Sequence, residues 1–91
     1  MNMFWIIVVD AAYHPLDTAD VRATAGTRKS LNLKFEDGHW VGQADAGTRL
    51  VVHARAEGYE PESHALTLRN ALTQIVVGLR KPGQLSYVQG D

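Results

Sequence analysis

Asp45–Leu68, DAGTRLVVHARAEGYEPESHALTL, is the stretch that decides how this chain folds. It reads as an Ala-Gly turn, a strand, a Gly-Tyr corner and a second strand. In the first strand Leu50, Val52, Ala54 and Ala56 oppose Val51, His53 and Arg55, the period-two alternation of a strand with one buried face. After the corner, Leu66 and Leu68 oppose Ala65, Thr67 and Arg69 in the same way. Two alternating runs joined by a tight corner are the unit of an antiparallel sheet.

The pattern continues outward in both directions. Downstream, Ile75, Val77 and Leu79 oppose Gln74, Val76 and Gly78; upstream, Leu31, Leu33 and Phe35 share a face while Asn32 and Lys34 take the other. Turn formers recur at Asp10–Asp20, Gly26–Lys29, Glu36–His39, Asp45–Thr48, Glu57–Pro61, Arg69–Asn70 and Lys81–Gly83. The runs between them predict strands at Phe4–Val9, Val21–Ala25, Leu31–Phe35, His39–Ala44, Arg49–Ala56, His64–Leu68 and Gln74–Arg80. Glu36-Asp37-Gly38 is the strongest hairpin signal, since Asp-Gly suits a two-residue turn with positive φ. Ala65–Leu72 carries Ala, Leu and Arg suited to a turn or two of helix, but Thr67 and Thr73 favour strand. The expected architecture is all-β, a seven-stranded antiparallel β-sandwich over residues 1–81. Residues 82–91, PGQLSYVQGD, follow as a tail or the start of a linker, because Pro82 stops the ladder.

Composition narrows the function classes. A chain of 91 residues is one domain, with no room for a separate catalytic domain, and its 45% hydrophobic share is that of a globular protein. Nine basic and ten acidic side chains give a formal charge of −1 with no basic stripe, so nucleic acid is not an expected partner. No cysteine is present, which removes disulfides, thiolate catalysis and Cys-based zinc sites. The apolar run Met3–Val9 has no preceding Lys or Arg and is too short for a signal peptide or a membrane span. It reads as a first strand apolar on both faces, covered on both sides or lying against another chain. The compartment is not fixed by these residues, and an exported parent protein is compatible with them.

Chemistry-bearing constellations are sparse. His14, His39, His53 and His64 show no close ligand spacing and no HExxH, so no metal or cofactor is expected. Ser30, Ser63 and Ser86 lack a GxSxG elbow, and a base within reach of any of them is not visible in the sequence. Glu36-Asp37 and Glu60…Glu62 fall at turns, where solvated charges are the rule. Gly26-Thr27-Arg28-Lys29-Ser30 has no GxxxxGK[ST] pattern. No catalytic residue is therefore assigned. Trp5, Trp40 and Tyr59 are the candidate binding residues, because Trp and Tyr combine a large apolar ring with a polar tip.

Strung together, IIVVDAAYHPLDTADVRATAG, EDGHW, DAGTRLVVHARAEGYEP and TQIVVGLR resemble the carboxypeptidase regulatory-like domains, within the transthyretin-like or prealbumin-like sandwiches. The likeness covers about residues 4–80, and Tyr13-His14 stands where that family usually has a glycine. It implies a Greek-key, transthyretin-like topology and a non-catalytic accessory module for protein attachment or structural spacing within a larger protein. A partner protein or a parent-chain domain is then expected. Carbohydrate recognition through exposed Trp or Tyr is the alternative, and a hydrolase of the hydroxyisourate hydrolase type using His14, His53 or His64 is a third, lesser one. The catalytic relatives, the hydroxyisourate hydrolases, end in Tyr-Arg-Gly-Ser, whereas this chain ends Ser-Tyr-Val-Gln-Gly-Asp, so their catalytic residues do not carry over. If Trp5, Ile7 and Val9 face outward, the first strand also predicts a homodimer.

Overall fold

The computed structural model describes residues 2–26, 29–69 and 72–83. These form strands β1 (Asn2–Val9), β2 (Asp20–Ala25), β3 (Lys29–Leu31), β4 (Lys34–Glu36), β5 (His39–Ala44), β6 (Arg49–Arg55), β7 (Glu62–Thr67) and β8 (Thr73–Gly78). They make two four-stranded sheets, one in the order β4-β5-β1-β8 (sheet A) and one in the order β3-β2-β6-β7 (sheet B). No helix occurs among the described residues, and the Ala65–Leu72 segment is strand as far as Thr67.

Two expectations are corrected. The described residues hold eight strands where the sequence predicts seven, because Leu31–Phe35 is not one strand. Leu31 pairs with Ala23 of β2 in sheet B, whereas Lys34–Glu36 pair with β5 in sheet A. The chain crosses between the layers at Asn32-Leu33, and a run that changes sheets keeps its local alternation while losing its single ladder. The sheets are also not wholly antiparallel, because β1 and β8 pair in parallel, Phe4 opposite Thr73 through Val9 opposite Gly78.

The turns follow the residues that permit them. Asp37 (φ 52°) and Gly38 (φ 82°) both lie in the left-handed region, the requirement of a two-residue type I′ hairpin between β4 and β5. The Gly-Tyr corner closes through Tyr59 N–H donating to the Ala56 carbonyl at 3.0 Å, with Gly58 at φ 86° in the third position, as a type II turn demands. The Asp45–Thr48 turn repeats that arrangement with Gly47 at φ 86°.

Between the sheets lies one core. Phe4, Ile6 and Val8 of β1 meet Leu50, Val52 and Ala54 of β6, with Ile75, Val77 and Leu79 beside them and Leu68 closing one end. These are the alternating apolar faces anticipated for β6 and β8, and burying each large side chain contributes about 1.5–3 kcal/mol. No polar or charged residue is buried among the described residues.

Candidate functional site

Because the core consumes one face of each sheet, function falls to the two outer faces and the loops. On sheet A the side chains that alternate with Phe4, Ile6 and Val8 are Met3, Trp5 and Ile7. Trp5 lies opposite Val41 of β5 and Gln74 of β8, and Ile7 lies opposite Val76. Met3 is 41% exposed and Val76 is 52% exposed, so the outer face of β1 and β8 presents apolar surface to solvent. Val9 departs from the outward expectation and is buried. There the Asp10–His14 turn doubles back, with Val9 bridging Pro15 and Leu16 N–H donating to the Val8 carbonyl at 2.8 Å.

Trp5 sits at the centre of this face. One side of its indole is stacked on His39, with centroids 4.5 Å apart and planes 27° from parallel. His39 Nδ1 lies 3.0 Å from the Asp37 carbonyl oxygen, which anchors the imidazole to the hairpin. The indole Nε1 is buried without a hydrogen-bond partner, an uncommon state for a polar atom.

The other two aromatic candidates are placed differently. Trp40 is buried in the core and packs on Phe35 at 4.7 Å between ring centroids. Tyr59 is half-buried against the core, with Lys81 Nζ 5.9 Å from its ring centroid. The structure therefore does not bring Trp5, Trp40 and Tyr59 into one binding surface.

Sheet B is the polar counterpart. Arg22 of β2, His53 of β6 and Ser63 of β7 form one cross-strand row, and Asp20 and Arg55 are paired in an adjoining row. His53 Nδ1 and Ser63 Oγ are 2.8 Å apart. Asp20 Oδ2 accepts a hydrogen bond from Arg55 Nε at 3.2 Å and lies 3.7 Å from Arg22 Nη2. These five residues line a surface cavity of about 200 Å³. The alternation in the sequence placed His53 and Arg55 on the polar face, but it could not show which residues of β2 and β7 stand beside them.

The remaining histidines stand apart. His64 lies opposite Val52 and so points to the other side of sheet B from His53. It is 4.0 Å from Glu62, which also holds Arg80 at 3.6 Å. His14 Nδ1 is 3.4 Å from Asp10 Oδ2 in the first turn. That carboxylate accepts the N–H groups of Ala12 and His14 at 2.8 and 2.9 Å. The bond from the His14 backbone, aided by that from Ala12 and by the His14 ring, holds the Asp10 pKa below its ordinary value. Among the described residues no three His, Asp or Glu side chains gather as a metal-ligand set. No helix of the described residues is long and apolar enough to cross a membrane. Ser86 lies outside the described residues, as do Thr27 and Arg28 of the Gly26–Ser30 loop.

Among known proteins, no family model matches the chain and no curated protein matches it. Solved structures do resemble it. Phospholipase PlaB from Legionella pneumophila superposes with a TM-score of 0.61 at 12% identity, over 88% of this chain and 25% of that one. The same phospholipase in complex with thio-NAD gives 0.58 at 13% identity, over 88% and 26%. The chain thus spans about a quarter of the length of these solved chains, and identity this low speaks for the fold alone.

Proposed function

We propose that this chain is a non-catalytic accessory module, a β-sandwich that attaches to a neighbouring protein domain through the outer face of sheet A. The observation that carries this reading is the partly exposed apolar face of β1 and β8, with Met3 and Val76 open to solvent beside Trp5. A continuous apolar run is the pattern of a strand with both of its faces covered. Here β1 is central, pairs in parallel with β8 and is apolar on both sides, yet its outer side is only partly covered by the described residues, with Trp5 and Ile7 half-buried and Met3 and Val76 exposed. Trp5, an aromatic of the kind from which interface anchors are drawn, lies within that patch.

Topology supports a Greek-key, transthyretin-like reading and, with it, membership of the carboxypeptidase regulatory-like domains. Four of the seven connections, β1–β2, β3–β4, β5–β6 and β7–β8, cross from one sheet to the other. A comparable sandwich makes up about a quarter of a phospholipase chain, which is the setting an accessory module requires. The carbohydrate alternative is less well served. Trp40 is buried, Tyr59 is packed into its corner and Trp5 already carries His39 on one ring face.

Site-specific photo-crosslinking in the native host tests this reading. A photoreactive residue at Met3 or Val76 should capture one and the same protein, and Trp5→Lys should abolish the adduct without changing the circular dichroism of the purified module. A probe at Arg22 on sheet B should not capture that protein. Equal capture from both faces, or adducts indifferent to Trp5→Lys, would remove the apolar face from the attachment.

A further inference from the structure

The outer face of sheet B carries an arrangement that attachment through sheet A does not use. Asp20 Oδ2 sits between two guanidinium groups, 3.2 Å from Arg55 Nε and 3.7 Å from Arg22 Nη2. One carboxylate thereby gathers two cations that would otherwise repel each other across adjacent strands. Asp20 engages each guanidinium through one nitrogen, so N–H donors on both remain for a second acceptor. The trio carries one net positive charge.

His53 extends the donor set. It is directly opposite Arg22 in the strand register, and its Nδ1 is turned to Ser63 Oγ at 2.8 Å. When the serine hydroxyl donates to Nδ1, the ring proton resides on Nε2, on the far side of the imidazole. When the ring is protonated, Nδ1–H donates to Oγ and Nε2–H still donates outward. In these two states His53 offers an N–H from Nε2; in the third, the neutral ring with its proton on Nδ1, Nε2 is an acceptor, so an anion at the site selects the first two. Glu62, the other carboxylate on the cavity wall, is countered by Arg80 at 3.6 Å and His64 at 4.0 Å.

The geometry points to a binding site for a phosphate group on the outer face of sheet B, held by Arg22, Arg55 and the Nε2–H of His53 in the cavity of about 200 Å³. Planar guanidinium groups match the oxygens of a tetrahedral anion and bind them through charge-assisted hydrogen bonds. A single phosphoryl group with a small substituent suits that volume. Asp20 is a positioning residue in this site, because it fixes both arginines but opposes the incoming charge.

The test uses the folded module and inorganic phosphate, with heteronuclear NMR following the His53 ring and the Arg22 and Arg55 Nε–H signals at constant ionic strength. Saturable shifts at these three residues are expected, with no comparable change at His14 or His39. Arg55→Gln and Arg22→Gln should each raise the apparent Kd by about five- to tenfold. Asp20→Asn should tighten binding, since it removes the opposing charge while its amide oxygen can still accept from Arg55 Nε and hold it in place. His14→Gln, remote in sequence and on another loop, controls for loss of a histidine.

Glycerol phosphate and phosphatidylcholine vesicles with and without phosphatidic acid identify where the group comes from. Binding of glycerol phosphate supports a soluble phosphorylated ligand. Co-sedimentation with the phosphatidic acid vesicles, lost in Arg55→Gln, supports a lipid headgroup. Shifts that rise linearly without saturation, or that persist unchanged in both arginine variants, would overturn the site.

Discussion

Gly42 is a position where a single added methyl group has nowhere to go. It faces the core opposite Phe4, and a Cβ there would collide with the Phe4 ring and come within 2.8 Å of Leu33 Cδ2. Phe4 is fully buried and cannot swing away. Gly42→Ala should therefore destabilise the fold by about 1–3 kcal/mol, read as a lower urea midpoint at unchanged slope. Asp10 makes a prediction in pH. Its carboxyl pKa is lowered in the folded chain, chiefly by the His14 backbone N–H, so its contribution is present above the unfolded pKa and lost as pH falls through the folded one. Asp10→Ala should flatten the acid limb of the stability curve, and an unchanged limb would show that the turn holds without its carboxylate. Some of this detail was legible and some was not. Asp37-Gly38 declares its turn because Asp-Gly is suited to two successive positive φ values. Tyr13, at φ 64°, gives no such signal, because its conformation is imposed by the bonds that Asp10 accepts from Ala12, Tyr13 and His14.

Strand β1 shows what an element's sequence can and cannot tell. Its continuous apolar run correctly announced a strand with two apolar faces, but not which face the sandwich would cover. The register decides that: Ile6 is fully buried, whereas Ile7 stands opposite Val76 on the outer side. Ile6→Ala should cost about 2–5 kcal/mol, and Ile7→Ala less than half of that, in parallel denaturant titrations. Equal costs would mean that the outer face is covered in solution as well. The β3–β4 break escaped the sequence for a related reason. Leu31, Leu33 and Phe35 keep perfect alternation across the crossover, and alternation reports which side is apolar without reporting which sheet supplies the partner. For the same reason Arg22, His53 and Ser63 could not be seen as neighbours. Each is an ordinary polar residue in its own strand, and only cross-strand pairing makes them a group.

As a whole the molecule has two unlike sides, an apolar one on sheet A and a charged one on sheet B. If two copies cover the apolar side, analytical ultracentrifugation should find a dimer that Trp5→Lys converts to a folded monomer. A monomeric wild type at high concentration would dispose of self-association and leave a different protein as the occupant. The parallel pairing of β1 with β8 has a consequence of another kind, in time rather than in space. Strand β1 cannot gain its parallel neighbour until nearly seventy further residues have been made, since Phe4 pairs with Thr73 and Asn2 Nδ2 reaches the Arg69 carbonyl. Such distant closure puts folding in the slow regime of two-state domains, milliseconds to seconds. During synthesis one edge of this apolar strand waits longest for its partner. A nascent chain stalled before β8 would leave the β8 edge of Phe4–Val9 unpaired, and that interval is when a chaperone, or a premature encounter with another copy, has its opportunity.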